Sequence, residues 1–286
     1  MKPTIKIQLL MLVLFFMFAG VANFVFAQTT VQDIKLADNL IITPAGPGVY
    51  RIVHSLPWPA NSLLVQVAND QFVMVDTPWD NYATQLVVEW LQREFPSAKL
   101  LVINTHFHRD CLGGNGYLVE HKIPTYGADM TVDLLDRIGH DRDENSMREF
   151  RDQGKRELAD VYKASPLVAP TTTFPINQGM LLPFSGDTLE VFYPGPGHTV
   201  DNITVYFRNR KLLFGGCLLK SLGNRNIGFI GDADVLNWSA SIDRLREQFP
   251  LAETVIPGHG AWGNMALLSH TQEIIAAYLQ QNEKPE

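Results

Sequence analysis

Apolar residues along this chain fall into short runs broken by turn residues, and into longer stretches with helical spacing. Val49-Tyr50-Arg51-Ile52-Val53-His54 and Ser62-Leu63-Leu64-Val65-Gln66-Val67 are rich in aliphatic and β-branched side chains and predict strands. The stretch between them, Ser55 to Asn61, contains Pro57 and Pro59 and predicts a hairpin loop. Gln71 to Asp76 predicts a third strand after the turn pair Asn69-Asp70. Leu86, Val87, Trp90 and Leu91 then share one stripe, which predicts a helix from Tyr82 to Phe95 that Pro96 ends. Lys99 to Asn104 reads as a short buried strand. Strand, helix and strand in succession is α/β in character.

Downstream, Thr131 to Ala164 predicts helix with a break near His140, its apolar face formed by Met147, Phe150, Leu158 and Val161. Strands are predicted at Leu189–Phe192, Ile203–Phe207, Lys211–Gly215 and Thr254–Ile256, and helices at Val235–Phe249 and Met265–Gln281. No repeat, low-complexity tract or long linker interrupts the pattern. One domain follows, with two strand-plus-helix halves whose sheets pack face to face and whose helices lie outside.

With 286 residues, 46% of them hydrophobic and 19% charged, the chain can bury a large core. A net charge of −7 and a pI near 5.6 argue against a nucleic-acid partner and leave the substrate open. Lys2 and Lys6 precede an apolar run from Leu9 to Ala22, and Val25 and Ala27 fit a cleavage site. This predicts a signal peptide over 1–27, a single mature domain over 28–286 and export to a bacterial periplasm. An uncleaved membrane anchor is the competing reading, because Leu9 to Ala27 approaches spanning length. Two cysteines, Cys111 and Cys217, are too few for a disulfide scaffold.

The chemistry gathers just past strand ends. In Thr105-His106-Phe107-His108-Arg109-Asp110, alternate residues of an extended segment point the same way, so His106, His108 and Asp110 converge. Gly113 and Gly114 let the backbone turn beneath them, and Asn115 is placed to cap the next helix. His198, Cys217 and His259 each follow a further strand. Imidazole, carboxylate and thiolate are the ligands zinc takes, at about 2.0–2.3 Å. His54, His121, His140 and His270 lack such company and read as core or surface residues.

The stretches His106–Asp110, Gly197-His198-Thr199, Gly215–Lys220 and Pro257–Gly260 resemble the metallo-β-lactamase superfamily, and their order and spacing resemble its subclass B1. Asp76-Thr77-Pro78-Trp79 fits the same pattern, and the resemblance covers nearly all of the mature chain. It implies an αβ/βα four-layer sandwich, two β-sheets flanked by helices. It implies two Zn2+ per chain, one on His106, His108 and His198 and the other on Asp110, Cys217 and His259. The activity it implies is hydrolysis of the β-lactam amide by a metal-bound hydroxide, with Asp110 aligning the nucleophile. Lys220 would then pair with the substrate carboxylate and Trp58 would form an apolar flap over it. The enzyme would be a monomer with no membrane association after signal cleavage.

Cys217 separates this pattern from relatives that act on thioesters or phosphodiesters. Those resemble one another in a bridging Asp at that position and a second His directly after the first Asp, where this chain has Cys111. Asp76 reads either as orienting a ligand or as a plain turn carboxylate. Cys111 is open to three roles: bystander, extra ligand, or oxidation partner of Cys217. Phe229 stands where the family often has an Asn facing the lactam carbonyl, and Asn224 and Asn226 are candidate substitutes. A different metallohydrolase of the same fold, acting on lactones, thioesters or phosphoesters, is the alternative reading; a non-catalytic exported zinc protein is the second.

Overall fold

The computed structural model describes residues 32–282, so the signal segment expected over 1–27 lies outside the described residues. The first sheet has eight strands: β1 (Ile34–Ala37), β2 (Leu40–Gly46), β3 (Val49–Ser55), β4 (Pro59–Ala68), β5 (Gln71–Val75), β6 (Lys99–Ile103), β7 (Thr125–Ala128) and β8 (Thr172–Phe174), hydrogen-bonded in that order. The run from β1 to β5 is an antiparallel meander. From β5 to β8 the pairing is parallel, which requires long crossovers. Helices supply them: α1 (Asn81–Glu94) before β6, α2 (Arg109–Leu112) and α3 (Asn115–Glu120) before β7, then α4 (Asp129–Leu134), α5 (His140–Asp152) and α6 (Arg156–Ala164) before β8.

The second sheet holds β9 (Met180–Pro183), β10 (Thr188–Phe192), β11 (Thr204–Phe207), β12 (Leu212–Gly216) and β13 (Thr254–Pro257), in the order β13-β12-β11-β10-β9. The parallel pair β12–β13 is bridged by α7 (Val235–Gln248), and α8 (Ala266–Asn282) follows β13.

Strand alternation sorts the apolar side chains into three interfaces. Leu63, Val65, Val73, Val75 and Ile103 point inward and meet Val191, Val205, Phe207, Phe214 and Ile256 of the second sheet. Their neighbours Leu64, Phe72, Met74 and Val102 point outward, under Val87, Trp90 and Leu91 of α1. On the far side Tyr206, Leu213 and Val255 meet Trp238, Ile242 and Leu245 of α7 and Leu267 and Ile275 of α8. Helix, sheet, sheet, helix is the four-layer sandwich that the two halves of the sequence predict. Strands buried on both faces explain why their apolar runs are nearly continuous. Each fully buried aliphatic side chain contributes about 1.5–3 kcal/mol. Asp80 starts α1 by accepting the Ala83 N–H at 2.7 Å, a helix N-cap.

Four local expectations are corrected. β4 begins at Pro59, opposite Ser55, so the hairpin link is shorter than Ser55 to Asn61; Pro is tolerated as the first residue of a strand. The helical chain does not break at His140 but runs through a π-helical turn at Leu135–Gly139. The true interruption is at Gly154, whose φ of +75° ends α5. Asn115 does not cap α3; its buried amide donates to Asn104 Oδ1 at 2.9 Å and Val168 O at 3.0 Å. Gly113 and Gly114 have ordinary helical φ values of −60° and −97°, so the turn does not need their freedom. It needs their size: a Cβ on Gly113 would lie 2.1 Å from Trp79 O, and one on Gly114 1.9 Å from Thr84 Oγ1. Five strands, the seven-residue β2 and the short β1 and β7 to β9, are further additions to the sequence reading.

Gly113→Ala is therefore expected to destabilise the protein by about 2–3 kcal/mol through overpacking against backbone. Gly223→Ala, where a Cβ meets nothing within 4 Å, is expected to stay within about 0.5 kcal/mol. Denaturant midpoints of the two variants, compared with the parent, test the assignment; equal midpoints would refute it.

Candidate metal centre

Four loops meet at one edge of the sandwich. The loop after β6 carries His106 and His108 and runs into α2, which carries Asp110; the loops after β10, β12 and β13 carry His198, Cys217 and His259. His106, Asp110, His198 and Cys217 are buried. The three imidazoles His106, His108 and His198 stand edge to face, with ring centroids 4.6, 5.3 and 5.0 Å apart. His108 Nδ1 faces His198 Nε2 at 3.2 Å. Beside them, Cys217 Sγ lies 3.3 Å from Asp110 Oδ2 and 3.5 Å from His259 Nε2, and His259 Nε2 lies 3.1 Å from that same oxygen. Asp110 joins the two groups, because its other oxygen, Oδ1, is 3.9 Å from His106 Nε2.

These separations suit ligands around a shared cation. Tetrahedral bonds of 2.0–2.1 Å to nitrogen and 2.3 Å to sulfur place N···N pairs about 3.3 Å apart and N···S pairs about 3.6 Å apart. The outward-facing nitrogens of three of the four histidines agree, and His198 Nδ1 is buried without a partner among the described residues. His108 Nε2–H donates to Asp232 Oδ2 at 2.7 Å, which leaves Nδ1 a lone pair pointing inward. His259 Nδ1–H donates to Pro59 O at 2.7 Å, freeing Nε2 toward Cys217 and Asp110. His106 Nδ1 faces Thr105 Oγ1 at 3.2 Å and Cys111 Sγ at 3.1 Å, freeing Nε2. Metal-binding histidines are oriented in this way by the partner of the other ring nitrogen.

Burial sets the protonation states. It pushes His106 and His198 well below the ordinary imidazole range and His108 down to about 4, with neighbouring His108, Lys220 and Arg142, respectively, pushing the same way. All three are neutral and can ligate at pH 7. Burial alone would push Asp110 up, but the hydrogen bond from His259 and the surrounding imidazoles hold it well below the usual carboxylate range. For His259, burial opposes ionisation while the Asp110 hydrogen bond and charge raise its pKa. Burial, aided by Asp110, pushes the Cys217 thiol well up, so without a cation it keeps its proton. The described residues therefore offer three neutral imidazoles and one carboxylate, while at His259 Nε2 and Cys217 Sγ an entering cation competes with a proton.

Around the centre, Asp76 accepts from Thr105 N at 2.7 Å and from Thr105 Oγ1 at 2.8 Å, so it bears on His106 through Thr105. Burial raises its pKa to about 7. Cys111 and Cys217 are both free thiols. Cys111 comes within ligand range of His106 and Asp110, yet its nearest imidazole atom is the outer nitrogen of His106. Lys220 is 8% exposed, with its Nζ 5.1 Å from the Trp238 ring centre, and burial lowers its pKa. A groove of about 410 Å³ runs over the centre, with Trp58 and Phe229 on its rim. Trp58 is 54% exposed and meets Trp79 edge-on at 5.4 Å, and the Phe229 ring lies 6.0 Å from His108. Asn226 accepts the Gly228 N–H at 3.1 Å.

Sequence reasoning missed Thr105, Asp232 and Arg142. Asp232 had a signal in the Gly231-Asp232-Ala233 turn, whereas Arg142, in the middle of a charged helix, had none. Arg142 forms an ion pair with Asp232, and its Nη1 lies 2.9 Å from His108 Nε2.

The model of the Metallo-beta-lactamase superfamily matches residues 56–259. A metallo-beta-lactamase type 2 of Bacteroides fragilis is 30% identical over 260 residues, covering 89% of this chain and 92% of that one. One from Bacillus sp. (strain 170) is 31% identical over 217 residues, covering 76% of this chain and 73% of that one. Among solved structures, a metallo-beta-lactamase from Pontibacter korlensis has a TM-score of 0.69 at 30% identity, covering 85% of this chain and all of that one. The DIM-1 metallo-beta-lactamase exposed to ceftazidime has a TM-score of 0.68 at 29% identity, covering 84% of this chain and 98% of that one.

A divalent cation added to metal-stripped protein is expected to raise the Tm, by up to about 4 kcal/mol of stabilisation at a thousandfold excess over Kd. Filling the pocket of Asp110, Cys217 and His259 should also release the Cys217 proton, since thiolate is the binding form. Dye-monitored proton release in weak buffer at pH 7, alongside thermal melts, reads both effects. A Cys217→Ser protein that shows the full release and the full melting shift would contradict the assignment.

Proposed function

Since this chain belongs to the metallo-β-lactamase superfamily, we propose that it is an exported enzyme that hydrolyses the amide bond of β-lactams and confers resistance to them. The observation that carries this reading is the bridging position of Asp110, one oxygen toward the three-histidine group and the other toward Cys217 and His259. Two zinc ions fit the donors, one on His106, His108 and His198 and one on Asp110, Cys217 and His259; when bound they would lower the pKa of water and polarise a carbonyl.

The chain's own residues have separable roles. Asp110, held ionised, accepts a proton or a hydrogen bond from the attacking water and keeps it in line with the lactam carbon. Lys220, nearly buried beside Trp238, is a desolvated cation suited to the carboxylate that β-lactams carry next to the ring nitrogen. Trp58 gives the groove an apolar flap, braced by Trp79. Phe229 offers the lactam carbonyl no hydrogen bond, so its exposed ring serves as an apolar wall.

The charged start, apolar run and small residues of 1–27 support a signal peptide, with a mature domain over 28–286 in the periplasm. Among the described residues no helix is long and apolar enough to cross a membrane. All six ligands come from one chain, which supports a working monomer.

Mature protein loaded with zinc is expected to hydrolyse nitrocefin and imipenem and to lose that activity with a chelator. His198→Ala should lower kcat by more than about 100-fold, since even outer partners of metal ligands are worth ~10–100-fold. Lys220→Ala should chiefly raise KM, by about 10-fold or more, the value of a hydrogen bond to a charged group. Turnover of lactones, thioesters or phosphoesters with no β-lactam hydrolysis would reassign the substrate.

A further inference from the structure

The groove over the metal centre contains a second cation that the ligand set does not use. Arg142 projects from the first turn of α5 and is 30% exposed in the groove. Its guanidinium lies over the Phe229 ring, 4.2 Å from the centroid, and pairs with Asp232. Asp232 Oδ2 is also the acceptor of the His108 N–H, so both donors crowd a single carboxylate oxygen. A guanidinium carries five N–H donors in a planar fork, and one shared oxygen satisfies few of them. With Phe229 packed against it, the guanidinium is partly exposed to the groove, which leaves donors there for a further acceptor.

Lys220 and Arg142 approach adjacent residues of one loop. Gly228 faces Lys220, since a Cβ there would lie 3.7 Å from its Nζ, and the next residue, Phe229, faces Arg142. In a β-lactam the carboxylate beside the ring nitrogen and the acylamino carbon lie at opposite ends of the four-membered ring. A substrate anchored on Lys220 therefore turns its acylamino side chain away from Lys220 and along the groove. Of the other charges on that wall, Arg109 is paired with Asp143 at 2.5 Å, while Glu149 and Lys155 lie further along the groove, about two turns or more beyond Arg142.

We propose that Arg142 is a specificity residue that favours β-lactams bearing a second carboxylate, on the acylamino side chain. This rests on the β-lactamase reading above. The incoming carboxylate takes the exposed donors of the guanidinium while Asp232 keeps its bonds to Arg142 and His108. The ion pair acts on substrate binding and leaves the chemistry at the ring unchanged.

The test compares benzylpenicillin with the penicillin that differs from it by one carboxylate on the side-chain α-carbon, using zinc-loaded wild type, Arg142→Gln and Arg142→Lys. The quantity read is the ratio of kcat/KM for the dianionic over the monoanionic substrate. Arg142→Gln is expected to lower this ratio by about 5-fold, the range of a partly exposed ion pair, mainly through KM. Arg142→Lys should retain part of it, and added salt should lower it in wild type more than in Arg142→Gln. An unchanged ratio in Arg142→Gln overturns the proposal, including the case of a parallel loss on both penicillins, which would mean that Arg142 acts solely through Asp232 and His108. Failure of wild type to hydrolyse either penicillin would instead overturn the β-lactamase reading.

Discussion

The metal centre depends on hydrogen bonds that point away from it. A neutral imidazole has one N–H and one lone pair, and which nitrogen faces inward is decided by what the outer nitrogen meets. Asp232 takes the outer proton of His108, the Pro59 carbonyl takes that of His259, and Thr105 and Cys111 face the outer nitrogen of His106. These partners come from the loop before α7, from the start of β4 and from the loop after β6. The inner lone pairs converge only when both halves of the sandwich are assembled.

The fold does this by anchoring loops to strands of the other sheet. Asn61 of β4, in the first sheet, donates its amide to Pro257 O at 2.8 Å and Gly260 O at 2.9 Å, on either side of His259 at the end of the second sheet. Arg51 of β3 adds a bond to Gly260 O at 3.2 Å and stacks over Trp262 at 4.6 Å. In the other direction, Ile203 N donates to Thr105 O at 2.9 Å, tying the lead-in of β11 to the His106 loop. The valine- and leucine-rich interface between the sheets supplies the stability, and these polar cross-links set the register in which the ligands meet.

Much of this could be read along the chain because imidazole, carboxylate and thiol groups have distinctive chemistry and fall just after strands. His106, His108, Asp110, His198, Cys217 and His259 were legible as a set, and so was the α/β sandwich, since β5, α1 and β6 are long and strongly patterned. The short strands were not, because β7 and β8 have only four and three residues and owe their state to parallel neighbours already in place. The reason for Gly113 and Gly114 was hidden as well. Their φ values are ordinary, and what excludes a Cβ is the backbone of Trp79 and the side chain of Thr84, both far away in sequence. Arg142 was unreadable for the same reason: an arginine in a charged helix acquires meaning only from the aromatic ring and the carboxylate that folding brings to it.

Asp76 shows where the fold concentrates strain. It is a buried, non-glycine residue with φ of 59°, a left-handed conformation that L side chains adopt at a cost of ~1–3 kcal/mol. Burial of its carboxyl group adds to that cost and raises its pKa to about 7. The strain offsets itself locally, because this backbone turn aims both carboxylate oxygens at Thr105, one at its N–H and one at its hydroxyl. Thr105 immediately precedes His106 and directs its hydroxyl at the ring. A glycine at position 76 would relieve the backbone and lose both bonds, freeing the segment that carries His106, His108 and Asp110. Two hydrogen bonds thus tie Asp76 to the residue before His106, and a turn that merely reversed the chain after β5 would have no need of a carboxylate held in so costly a conformation.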